Sequence, residues 1–503
     1  MTSCAPRDLK WNRLSKSTAA AGIAMEKSGA RGSAGPGLSP PGRMPRLAVK
    51  MTPTATIRRE IPAILALAVP IVAGLGASTL LGVTDSVMLA PLGALPLAAV
   101  GITNAVAVIL FAAIYGLLSA LSVRVGTAHG AGQGRRIPVI LRNGLALGAM
   151  VGVFGAAAML SVWPLLFALG QPAEVLAIMF PYWVAISLLM VPFSVLTVFK
   201  SAFEAVDRPW LGACFAFLAV AINIPLNYSL IWGIGPLPQL GLTGAGIASL
   251  AAEALAMLAA WVFWQRARSM RRLRLRADLS GSEMASVARE GAPLGLMYVA
   301  ETGAMAVATL LVGTFGAVAL AGNQVAMSVG GLLYMVPLGL AGAVSIRVAQ
   351  ERGAGNRGAL RPITWAALGL GTVWLSGAAI LLGLYGRNVA GWITSEPEVI
   401  TVATSIFVVF AFSQVMDGVQ STMTGALRGL SDTGFPAKVS LAAYWGLGLP
   451  LGWLFARTAG MGPSGIWAGF VVALGLASVV LVRRFLQQTV AALPPPPWRA
   501  GAA

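Results

Sequence analysis

With 503 residues, 57% of them apolar and only 10% charged, and a mean hydropathy of +0.80, the chain carries far too little charge for a soluble domain, where about 25% is usual. Its formal net charge of +18 would suit a nucleic-acid binder, but the charges sit between apolar runs rather than on an amphipathic surface. Two cysteines, Cys4 and Cys214, exclude a disulfide or thiolate-metal framework.

In chain order, residues 1–59 come first, with eleven Lys/Arg against Asp8 and Glu26 and no apolar span. They read as a disordered basic cytoplasmic arm without the apolar core of a secretory signal. Met51 leads straight into the first apolar run and is an alternative start. About twelve runs long enough to cross a bilayer then follow, near 61–90, 95–122, 137–163, 175–205, 210–232, 243–264, 291–314, 318–346, 363–386, 398–427, 435–457 and 464–485. Pro70, Pro192, Pro225, Pro337 and Pro450 fall inside runs and predict kinked helices. The alternating polarity of a lipid-facing β-strand is not seen. The expected domains are an amino-terminal six-helix bundle over 60–264, a cytoplasmic linker over 265–290, a carboxy-terminal bundle over 291–485, and a tail over 486–503 that includes the frayed Pro494–Pro497 run.

The connecting loops alternate in charge. Arg124, Arg135, Arg136, Lys200, Arg208, the arginines from Arg266 to Arg276, Arg347, Arg352, Arg357, Arg361, Arg428, Lys438, Arg483 and Arg484 all fall on one side. The other side holds Arg387 and Arg457 with the acids Glu174, Glu396 and Glu398. By the positive-inside rule the basic side and both termini are cytoplasmic, at the cell (inner) membrane. The positive excess is an orientation signal, with some attraction to anionic lipid.

One stretch of the chain is written twice. A shift of 223 residues (347 − 124) takes Pro70 to Pro293, Gly93-Ala94 to Gly316-Ala317, Gly116-Leu117 to Gly339-Leu340, Arg124 to Arg347 and Gly130-Ala131-Gly132 to Gly353-Ala354-Gly355. A repeat of that length in so apolar a chain is no solenoid unit. It predicts two similar membrane-embedded halves with a path between them, the plan of many secondary transporters.

Charges within the spans are few and therefore informative, because a carboxylate at helix centre costs about 2.5–3.5 kcal/mol to insert unless it meets a cavity or a partner. Asp85, Glu301 and Asp417 stand out; the alternative for each is a capped or paired structural acid. Asn223 and Asn227, one helical turn apart around Pro225, supply donors and acceptors for a carboxylate or a water chain, or simply join helices. His129, the only histidine, reads as a solvated loop residue. The glycines at 130–132 and 353–355 lack the lysine and serine/threonine of a phosphate loop. Gly144, Gly148 and Gly152 have the spacing of close helix packing. Tyr298, Met297, Gln324 and Met416 are candidates for a substrate cavity, with core filling the alternative for the methionines. No nucleophile–base pair or ligand cluster suggests an enzyme.

Several segments then resemble one family. VTDSVMLA from Val83, followed by Leu92-Gly93, is similar to the first-helix signature of the MATE (multidrug and toxic compound extrusion) transporters. NIPLNY from Asn223, AETGAMAVATLLVG from Ala300, RVAQERGAG from Arg347 and QVMDGVQSTMTGALRG from Gln414 resemble its NorM-type branch. The resemblance covers about residues 57–485. It implies an all-α membrane protein of two pseudo-symmetric six-helix bundles forming a V. It further implies a monomer that exports small cationic or amphipathic compounds through the lipid bilayer in exchange for Na⁺ or H⁺, with no cofactor and no nucleic acid. The family's amino-terminal ion site carries over to Asp85, Asn223 and Asn227, and its carboxy-terminal cation site to Glu301 and Asp417, where Na⁺ would bind transiently. Some members have an aspartate at the position of Asn227; the asparagine here counts against proton coupling through that half, while Glu301 and Asp417 keep Na⁺ coupling open. A flippase for a lipid-linked saccharide is the nearest alternative; its anionic headgroup would call for Arg or Lys within the spans.

Overall fold

The computed structural model describes residues 53–233, 238–274 and 278–490. The arm up to residue 52, with Cys4 and Met51, and the Arg276 and Pro494–Pro497 positions lie outside the described residues.

Among the described residues there are twelve helices long and apolar enough to span a membrane, and no strand. They are α1 (Pro53–Leu89), α2 (Ala94–Gly130), α3 (Ile137–Ala168), α4 (Ala173–Ala205), α5 (Pro209–Trp232), α6 (Gly241–Arg266), α7 (Gly281–Gly313), α8 (Ala317–Gly353), α9 (Leu360–Ile393), α10 (Pro397–Gly429), α11 (Gly434–Arg457) and α12 (Pro463–Val490). Helices answer the lack of water in the bilayer by satisfying every backbone group internally. The α1–α2 and α7–α8 turns pass through Gly93 (φ 104°) and Gly316 (φ 106°), repeat partners in a conformation that side chains resist. An even number of spans puts Pro53 and Val490 on one face, called the terminal face below.

Two boundaries differ from the sequence expectation. Helix α1 begins at Pro53, and α7 at Gly281, ten residues before its apolar run at 291, so the linker is shorter than 265–290. Ser280 explains the second: its hydroxyl accepts from the Glu283 backbone N–H, a Ser-x-x-Glu start signal outside the apolar stretch. Pro450 acts as expected of a helix proline, but through a π-turn. Residues Ala442–Gly448 have i→i+5 geometry immediately before it, because the proline nitrogen cannot close the α-helical bond.

Each half has its own core, one around Trp183, Phe199 and Phe203, the other around Phe407, Phe410 and Trp467. The small residues of α3 do pack closely: a Cβ on Gly148 would lie 2.9 Å from Val198 and one on Gly152 2.7 Å from the Val191 backbone. A third cluster crosses between halves, joining Ile64, Leu67 and Ile71 of α1 to Leu340 and Val344 of α8. The crossing is reciprocal. Gly116 of α2 is pressed against Leu294 O (2.8 Å from an added Cβ) and Gly295 Cα (2.9 Å) of α7, while its repeat partner Gly339 of α8 meets Val72 of α1. Gly130 faces the Gln350 carbonyl, and its repeat partner Gly353 faces the Thr127 carbonyl. The two halves thus meet about a pseudo-two-fold axis at the terminal face.

Polar contacts follow the same surface. Gln350 Nε2 donates to Ala205 O (3.1 Å) and to Asp207 Oδ1 (2.9 Å), and His129 pairs with Asp207 at 3.1 Å. His129 therefore ends a helix with a partner rather than lying free in a loop. Partial burial would raise the Asp207 carboxyl, but the hydrogen bonds of His129 and Gln350 and the nearby Arg347 charge outweigh it and hold it below its ordinary value.

Candidate functional site

Between the halves lies a cavity of about 570 Å³, lined by α1, α2, α4, α5, α6, α7, α8 and α10. The reciprocal contacts close its terminal-face end. Its walls combine aromatic and aliphatic groups (Phe111, Phe193, Tyr182, Leu338) with a small number of charges: Asp85, Glu204, Glu253, Lys200 and Arg428.

Asp85 sits one turn before the end of α1 and is 5% exposed. Asn227 Nδ2 donates to its Oδ1 at 2.5 Å, Asn223 Nδ2 to the same atom at 3.3 Å, and Ser249 Oγ to its Oδ2 at 2.7 Å. Asn227 Nδ2 also reaches Asn223 Oδ1 (2.9 Å), and Asn223 Nδ2 reaches Ser249 Oγ (2.9 Å). The sequence thus named the carboxylate and both amides that come together here. It did not name Ser249, which α6 delivers. Asn227 turns its Nδ2 to the carboxylate, and its Oδ1 is left buried as an acceptor without a partner. Such a set of oxygens suits a small cation or a proton carried on the acid.

In the second half Glu301 of α7 and Asp417 of α10 approach closely enough to interact. Tyr334 of α8 donates to Glu301 Oε1 at 3.5 Å, and Tyr444 donates to Asp417 Oδ1 at 3.1 Å. Tyr444 lies in the π-turn of α11, the kind of irregular turn that re-aims a side chain at a functional position. A small void of about 20 Å³, room for one water or ion, adjoins Glu301 and is lined by Met297, Tyr298, Tyr334, Gln420, Thr424 and Arg428 among others. Gln420 Oε1 and Thr424 Oγ1, both in buried residues, have no partner there. Among the described residues no group of three or more His, Cys, Asp and Glu could hold a metal ion.

The cavity candidates divide. Tyr298 lines the large cavity and pairs edge-on with Tyr115 across the halves at 5.8 Å; Met297 lines the small void. Gln324 and Met416 do not reach either space. Gln324 is exposed near the start of α8, on the helix face opposite its buried neighbours. Met416 turns toward α12, where its sulfur approaches Gly475 and its carbonyl accepts from Ser478. Conversely, Lys200, Glu204, Glu253 and Arg428 line the cavity although the basic pair read as loop-flanking and the acids were not singled out. Helical spacing was the available signal: Lys200–Glu204 and Ser249–Glu253 are each four apart, hence on one face.

The MatE family profile matches residues 70–229 and 293–454, one stretch in each half. The chain belongs to the MatE family. A probable multidrug resistance protein NorM of Deinococcus radiodurans is 36% identical over 397 residues, covering 77% of this chain and 86% of that protein. The crystal structure of the eukaryotic MATE transporter AtDTX14 superposes with a TM-score of 0.77 at 26% identity, covering 87% of this chain and 99% of the other. A Vibrio cholerae MATE transporter, VcmN in its bent form, gives 0.76 at 20% identity over 87% and 99%, and shares the fold. As a MATE transporter of twelve spans, the protein is a multi-pass membrane carrier and not an enzyme. The repeat read from the sequence is the same pair of halves that the family profile matches separately.

Proposed function

We propose that this MATE transporter is a secondary antiporter that exports cationic or amphipathic drugs and toxic compounds in exchange for Na⁺ or H⁺, at the cell membrane with both termini in the cytoplasm. One observation carries the reading: a cavity of about 570 Å³ between the halves with a buried carboxylate centre in each half. Apolar aromatic walls take the body of an amphipathic guest. Three acids, Asp85, Glu204 and Glu253, share the lining with two bases, Lys200 and Arg428, so a cation is favoured over an anion. The name of the Deinococcus radiodurans relative points the same way.

Exchange follows from competition. An ionised carboxylate in a low dielectric attracts either the coupling ion or the drug, and holding both costs repulsion. Filling Asp85, or the Glu301–Asp417 pair, with Na⁺ or H⁺ removes the attraction and releases the drug. The unpartnered oxygens of Asn227, Gln420 and Thr424 suit Na⁺ as ligands as well as they suit a proton-bearing acid. The flippase alternative gains Lys200 and Arg428 as cavity cations, but the surplus of acids opposes a diphosphate headgroup.

The test is ethidium efflux from proteoliposomes with imposed Na⁺ or H⁺ gradients. One of the two gradients drives efflux, and Glu301→Gln or Asp417→Asn reduces the driven rate at least tenfold with the protein still inserted. Efflux indifferent to both gradients, or retained in those variants, refutes the reading.

A further inference from the structure

The arginines that anchor the repeat do more than orient the chain. Arg124 of α2 donates to Glu283 (2.7 Å), to Glu290 (2.9 and 2.8 Å) and to Ser286, all on α7 of the other half. Arg347 of α8 pairs with Glu60 of α1 (3.1 Å), again across the halves, and with Glu351 on its own helix (3.1 Å). The two pairings are one motif used twice: 347 − 124 = 223, and 283 − 60 = 223. Each half lends the second-span arginine and receives it on the first-span acid of its partner. The side chains are 15–32% exposed, so solvent screens them less than surface pairs, and Arg124 grips Glu290 with two nitrogens in the geometry that makes such pairs strong.

We propose that Arg124–Glu283/Glu290 and Arg347–Glu60 are two symmetry-related latches that hold the terminal face shut in this conformation, and that both must break for the cavity to open there. The inference rests on the antiporter reading above, in which the halves move to expose the cavity at one face and then the other. Any rocking of the halves apart at this face pulls both arginines from their acids together, because the pseudo-two-fold axis relates them. The latches are unequal: Arg124 has two acids across the interface, Arg347 one, its second partner lying in its own half. Loss of the Glu283/Glu290 side therefore opens the face more than loss of Glu60.

Ala349 reports the state of this face. It is fully buried and lies 3.5 Å from a Cβ built on Gly126, inside the interface between halves. In the full chain with Cys4→Ser, Cys214→Ala and Ala349→Cys, a membrane-impermeant maleimide is applied to the terminal face of reconstituted vesicles. Labelling is slow in that background and at least tenfold faster after Glu60→Gln/Glu283→Gln/Glu290→Gln. Glu283→Gln/Glu290→Gln alone gives the larger part of the gain. Arg124→Glu speeds labelling, and adding Glu283→Arg slows it again, which separates a latch from mere loss of fold; gel filtration checks each variant. Unchanged labelling in the triple variant, or no rescue by the reversed pair, overturns the proposal. The readout needs no substrate, so failed efflux with altered labelling counts against the drug reading and leaves the latches standing.

Discussion

Ser249 carries no motif, yet its hydroxyl holds the Asp85 oxygen that neither asparagine reaches. A hydrogen bond to a charged group is worth about 1.5–3 kcal/mol, so Ser249→Ala is expected to slow ion-driven ethidium efflux by roughly tenfold, with the rate partly restored by Ser249→Thr. Asp85→Asn removes the ionisable group itself and is expected to abolish driven efflux while membrane abundance, read by immunoblot, stays unchanged. If Asp85→Asn still supports driven efflux, the amino-terminal centre has no part in coupling. Asn227→Ala should fall between these two, since it removes the 2.5 Å donor together with the unpartnered oxygen. The residues of this centre come from helices that the chain separates by 138–164 positions. The acid and the amides were legible because polar groups in an apolar run are conspicuous. A serine in an alanine-rich helix is not, because its hydroxyl can equally bond its own backbone.

The elements show how one repeat yields unlike neighbours. Gly116 of α2 and Gly339 of α8 are repeat partners at the interface, but a methyl group on Gly116 would strike the Tyr298 ring and also two backbone atoms of α7 at 2.8 and 2.9 Å, whereas on Gly339 only the Val72 side chain lies that close, the nearest backbone atom being 3.3 Å away. A valine can turn to another rotamer; a carbonyl cannot. Gly116→Ala is therefore expected to destabilise by about 1–3 kcal/mol and Gly339→Ala by less, checked by thermal unfolding in detergent. An equal drop in Tm for the two would mean that the halves adjust as freely through backbone as through side chains. The π-turn of α11 was not legible as such. Pro450 announced a bend, but only packing against α12, where Gly448 meets Phe470, fixes that the bend turns Tyr444 toward Asp417. The α7 start is legible in Ser280 and Glu283, but hydropathy does not mark it because it precedes the apolar run.

For the whole molecule, exchange of one monovalent ion for one monovalent drug moves no net charge. Each charge moved across the membrane would otherwise be worth about 2.3 kcal/mol per 100 mV. Ethidium efflux driven by an ion gradient should accordingly be unchanged when a K⁺ diffusion potential of either sign is imposed with valinomycin; acceleration by an inside-negative or inside-positive potential would require a different stoichiometry.

By itself the sequence determined twelve spans, two related halves and three carboxylates within the spans, because hydropathy, a shift of 223 residues and the cost of charge in lipid are properties of the chain read in one dimension. Only the tertiary structure decided that each half reaches across to the other, Arg347 finding Glu60 at a separation of 287 residues. It also decided that Lys200, Glu204, Glu253 and Arg428 face a shared cavity rather than water. The reason is physical: a helix's sequence fixes which residues share a face, while the neighbour that face meets depends on how all twelve pack.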